Sequence, residues 1–99
     1  MIIKEALQKL SKSNNPVARI IHQGNNFKTL VIVFKSGMVL KDHLTKVPAT
    51  LTVVEGNVQY IEAHKTIELS QYENIKIPIN VIHKVIAQKN AICILTQGE

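Results

Sequence analysis

The stretch Thr50-Leu51-Thr52-Val53-Val54-Glu55-Gly56-Asn57-Val58-Gln59-Tyr60-Ile61 decides the fold. Two short runs rich in Val, Thr and aromatic or aliphatic residues flank a Glu-Gly-Asn break, the composition of strands around a turn. Gly56 supplies the positive φ of a tight turn, so Thr50–Val54 and Asn57–Ile61 are expected to form a hairpin. The same pattern extends outward in both directions. Val17–Ile21, Lys28–Phe34, Val39–His43, Thr66–Leu69, Ile75–Pro78, Val81–Ile86 and Ala91–Thr96 all read as short strands. Gly24-Asn25-Asn26, Ser36-Gly37, Ala63-His64-Lys65 and Gln88-Lys89-Asn90 separate them with turn chemistry. Strands at this spacing, with no helical segment between them, predict an all-β antiparallel sandwich or barrel. Pro48 and Pro78 lack a ladder donor and belong at strand ends or bulges.

The first residues differ. Ile3, Ala6, Leu7 and Leu10 recur at helical spacing until Ser11–Asn15 and Pro16 end the pattern. The expected organisation is an N-terminal amphipathic helix and linker over residues 1–15, then one barrel over residues 17–97.

Bulk composition narrows the function classes. The formal charge is +5, from 12 Lys and Arg against 7 Asp and Glu, yet the cations are scattered. Nucleic-acid recognition draws on Arg for base edges, aromatics for stacking or a dense basic stripe, and none is present. Lone Cys93 lies inside Ala91-Ile92-Cys93-Ile94-Leu95, a buried apolar setting with no base beside it. No apolar run approaches the length of a bilayer span, and no basic segment precedes a long apolar core. A cytoplasmic protein without nucleic-acid or membrane partners is expected. Leu30-Val31-Ile32-Val33-Phe34 is apolar on both strand faces, so its outer face needs a cover, either the N-terminal helix or a second protomer. A homodimer is the expectation.

Two spacings then stand out. Gly37 is followed after five residues by His43, and Gly56 closes the same segment; Pro78 is followed five residues later by His83. In this the chain resembles the cupins, over roughly residues 17 to 96. The resemblance implies a double-stranded β-helix, or jelly-roll, barrel with His43 and His83 together in its bore. It also implies a metal held by three His and one carboxylate, but Thr45 stands where the second His would be and Ala49 where the carboxylate would be. Tyr72, Asn80 and Ala87 depart from the second motif as well.

Two imidazoles are too few to hold a divalent transition metal tightly, so a barrel without a tightly bound metal is expected. His22 or Asp42 is a conceivable third donor, although strand alternation turns Asp42 away from His43. Alternation also puts Val39, Lys41 and Thr45 on the face of His43. A pocket lined by His43, Thr45, Leu51, Val53 and His83 is mostly apolar, with few polar groups, which suits a small organic ligand. The expected function is binding of such a molecule. The alternative is a metal-dependent enzyme of oxygenase or isomerase type, in which His43 and His83 hold the ion with waters. His64, in a turn, reads as an exposed residue.

Overall fold

Alternation of buried and exposed side chains builds the barrel wall. The structure is a computed structural model that describes all 99 residues. Helix α1 spans Ile2–Leu10, and nine strands follow: β1 (Val17–Gln23), β2 (Phe27–Phe34), β3 (Val39–His43), β4 (Ala49–Glu55), β5 (Val58–Glu62), β6 (Lys65–Leu69), β7 (Asn74–Ile77), β8 (His83–Ala87) and β9 (Ala91–Gly98). All nine fall where the strand composition placed them. Along β8 the buried positions are His83, Val85 and Ala87, and along β9 Ala91, Cys93 and Leu95, the period of two that a one-sided strand requires.

The strands form two antiparallel sheets, ordered β1-β2-β9-β4-β7 and β3-β8-β5-β6. From β2 onward the chain crosses to the other sheet at every connection except β5–β6. That crossing pattern gives the jelly roll. It also corrects the reading of the opening stretch: β4 and β5 lie in different sheets, so Glu55-Gly56-Asn57 is a corner and not a hairpin. Gly56 does take the positive φ expected of it, +90°. The β8–β9 corner packs beside it, and the Gln88 amide donates to the Asn57 carbonyl at 2.9 Å.

The facing inner surfaces share a core cluster of 14 residues, in which Tyr60 and Phe34 are the largest fully buried side chains. Cys93 is in that core, and burial pushes its thiol up to about 12, which suits an inert apolar residue. A second, smaller cluster explains the two-faced apolar run in β2. Ala6 and Leu10 of α1 cover Val17, Val31 and Val33 on the outer face of the five-stranded sheet. No helix is long and apolar enough to cross a membrane.

Candidate functional site

His43 closes β3 and His83 opens β8, and the antiparallel ladder pairs the two directly. Their ring centroids are 4.2 Å apart with planes at 61°. Each ring is anchored in the same way. Nδ1 of His43 lies 2.8 Å from the carbonyl of Lys41, and Nδ1 of His83 lies 3.0 Å from that of Val81. A carbonyl only accepts, so each Nδ1 carries a proton and donates it. In the neutral rings both Nε2 atoms are therefore left as acceptors. His83 is 3% exposed, and burial lowers its pKa. The Val81 carbonyl opposes that shift, nearby His43 reinforces it, and Glu62 and Asp42 oppose it more weakly. His43 lies at the mouth, exposed.

Between the rings and the core is a cavity of about 20 Å³. A void of that size holds roughly one water molecule. Leu51, Ile77, Val85 and Leu95 supply apolar walls, and His43, Thr45, His83 and Gln97 the polar atoms. Val53, expected among the lining residues, does not reach the cavity. Leu51 pairs with Leu95 at the cavity's level, whereas Val53 pairs with Cys93 two positions further on and is fully buried in the core.

Thr45 lines the cavity but spends its hydroxyl locally, donating to the Val47 carbonyl at 2.8 Å and accepting from the Val47 amide at 3.3 Å. The same loop is tied to the approach to His83, because the Asn80 amide donates to the Thr45 carbonyl at 2.8 Å. Asn80 takes a positive φ of 63° there. Lys41 is not the inward neighbour that alternation assigned to His43. The β3–β8 ladder pairs Leu40 with Val85 and His43 with His83, so two residues of β3 oppose one of β8. That bulge shifts the phase and turns Leu40 into the cavity in place of Lys41, which is exposed.

The metal centre implied by the resemblance does not fit these residues. Ala49 lines the cavity and offers no donor atom, and no three His, Cys, Asp or Glu side chains converge on one point. His22 is exposed on β1, with its ring 5.7 Å from that of Phe27, and lies outside the cavity. Asp42 and His64 are exposed as well.

Two residues beside His83 were not singled out from the sequence. Tyr60 stacks on His83 with centroids 5.4 Å apart and planes at 29°. Its hydroxyl donates to Glu62 at 2.5 Å, and Glu62 pairs with His83 in the β5–β8 ladder. Burial, then the hydrogen bond to Glu62, raise the Tyr60 pKa well above the ordinary phenol value. The phenol therefore remains a donor across any working pH. His43, His83 and Glu62 thus form one row across three neighbouring strands. Period-two alternation from Val58 marks Tyr60 and Glu62 as inward, but only register shows which residue they face.

No protein-family model matches the chain, and no curated protein does. Solved structures do. A cupin superfamily protein from Desulfitobacterium hafniense superposes with a TM-score of 0.81 at 12% identity, covering 87% of this chain and 79% of the other. An RmlC-like cupin from Desulfovibrio desulfuricans gives 0.78 at 23% identity, covering 85% and 82%. A cupin-2 domain containing protein from Shewanella frigidimarina gives 0.74 at 21% identity, covering 94% and 91%. Likeness at these identities establishes a shared fold, and it leaves activity to be argued from the residues themselves.

Proposed function

We propose that this chain, a small barrel with the cupin fold, is a binding module that grips the hydrogen-bond-donating end of a small organic molecule between His43 and His83. The observation that carries this reading is the double anchoring of the rings. Both Nδ1 atoms are committed to backbone carbonyls, so the Nε2 acceptors of two rings that line a mostly apolar cavity are left without a protein partner. Two acceptors select a hydroxyl, an amine or an N–H group and discriminate against carboxylates, which bring no donor at neutral pH.

A cavity of about 20 Å³ admits only the donor tip. The body of the ligand rests outside it, in an open cleft of about 410 Å³ walled by Asn15, Pro16, Val39, Leu40, Lys41 and His43. Leu40 and His43 line both spaces. Each hydrogen bond to a neutral Nε2 contributes about 0.5–1.5 kcal/mol, roughly two- to tenfold in affinity; a hydroxyl makes one such bond and an NH2 group can make two.

The test pairs 1-butanol with butyl methyl ether, which matches its apolar body and lacks the donor. Titration is followed by the ring carbon-bound protons of His43 and His83. The alcohol is expected to shift both saturably and the ether neither, with His43→Ala weakening the response about tenfold. Equal responses to alcohol and ether, or silence to both, would refute the reading. Metal analysis separates the alternative: one equivalent of a transition metal retained through dialysis would favour a metal-dependent enzyme.

A further inference from the structure

We infer, resting on the donor-binding reading above, that the molecule gripped by the two histidines carries a carboxylate at its other end, received by Lys41 and Lys35. The cleft of about 410 Å³ beside His43 shares Asn15, Val39 and Lys41 with a second hollow of about 520 Å³. Lys35, Ser36 and Asn14 also wall that second hollow. Neither lining contains an Asp or a Glu, so the two ammonium groups are its only formal charges. The salt bridges of the chain lie elsewhere, between the Met1 amino group and Glu5 and between Lys65 and Glu62. A wall with cations and no carboxylate raises the local concentration of anions.

Local structure accounts for the position of each lysine. The β3 bulge that turns Leu40 into the cavity leaves Lys41 outside it, in the lining of both hollows. Lys35 Nζ donates to the Ser11 carbonyl at 3.3 Å, where α1 ends. That bond holds the ammonium group in place without neutralising it, since a carbonyl has no net charge and an ammonium has three protons to give. A cation already held loses less freedom when it meets an anion.

A carboxylate fits this wall better than a phosphate. Phosphate sites are built on clusters of free backbone N–H groups. The turn Ser36-Gly37-Met38 in the wall of the second hollow contains a positive φ, at Gly37, but its amides are all spent within the chain. Ser36 donates to Asn90 Oδ1 at 2.9 Å, Gly37 to the Ala87 carbonyl at 2.8 Å and Met38 to the Lys35 carbonyl at 3.0 Å. The two ammonium groups and the side-chain amides of Asn14 and Asn15 remain, separate donors that suit the two oxygens of a carboxylate. Orientation follows from the same chemistry. Imidazole acceptors refuse a carboxylate and lysines attract one, so a hydroxy acid enters only one way round.

NMR titration with the ω-hydroxy acids from 4-hydroxybutanoate to 8-hydroxyoctanoate, each against its methyl ester, tests the assignment. Ring protons of His43 and His83 report the donor end, and the ε-methylene protons of Lys41 report the anion. At the best length the acid is expected to bind about fivefold tighter than its ester at low salt. That advantage should shrink as salt rises. Lys41→Gln should remove most of it. Lys76→Gln makes the same change in charge on β7, outside both hollows, and should keep it. Three results would each overturn the inference: acid and ester of equal affinity while both rings respond, an advantage untouched by Lys41→Gln, or tighter binding of the matching hydroxyalkyl phosphate than of the acid. Silence of both rings toward acid and ester alike would instead overturn the donor-binding reading, and the carboxylate with it.

Discussion

Gly56→Val is expected to cost about 3 kcal/mol or more, read from the denaturant midpoint, while Gly37→Val costs well under half of that. The two glycines share nearly the same backbone, with φ of +90° and +86°. Both substitutions therefore carry the strain of a β-branched residue in the left-handed region. Their surroundings differ. A Cβ at Gly37 meets nothing within 4 Å, whereas at Gly56 it would press into the Asn90 carbonyl oxygen and lie 2.8 Å from Ala91 Cα. Those are backbone atoms of the neighbouring corner, and no rotamer change removes them. Relief requires separating the β4–β5 corner from the β8–β9 corner, with loss of the Gln88–Asn57 hydrogen bond. Against a total stability of about 5–15 kcal/mol for a domain of this kind, that loss depletes the folded state. Equal costs at the two glycines would show that the corners do not touch.

Tyr60→Ala is expected to be as damaging, at about 3–5 kcal/mol, because it empties the space of the largest fully buried side chain. Tyr60→Phe keeps the ring and removes only the hydroxyl bonded to Glu62. Its expected cost is about 1–2 kcal/mol, at the low end for a bond to a charged group, since the Glu62 side chain is 13% exposed and regains water. The pair also separates two roles. The phenyl ring of the Tyr60→Phe protein would still stack on His83, so the His83 ring protons should move little in that variant and substantially in any folded Tyr60→Ala protein. Denaturant curves and the His83 resonances supply both readings. A Phe variant as unstable as the Ala variant would place the role of Tyr60 in its hydroxyl and not in its ring.

Strand positions were legible because each depends on its own residues: alternation in β8 and β9 and the turn residues between runs suffice. Sheet membership was not. Glu55-Gly56-Asn57 has the chemistry of a hairpin, and the positive φ is real, but that chemistry does not determine where the next strand goes. Strand β5 continues into the opposite sheet because its inward face, Val58 and Tyr60, completes the core from the other side. The β3 bulge misled alternation in the same way: two residues opposite Lys84 put Leu40 where Lys41 was expected. Val53 was assigned to the correct face at the wrong depth, since period two carries no information on distance along the bore. His43 and His83 were legible through spacing. Glu62, Tyr60 and Gln97 were not, because their proximity to the histidines follows from register and topology.

The most direct measurement is the nitrogen-resolved NMR spectrum of the two imidazoles at neutral pH, with ring-to-ring nuclear Overhauser effects. Protons on both Nδ1 atoms, unprotonated Nε2 atoms and a strong effect between the rings of His43 and His83 are the predicted result. A proton on Nε2 of either neutral ring, or rings too far apart to give any effect, would contradict it.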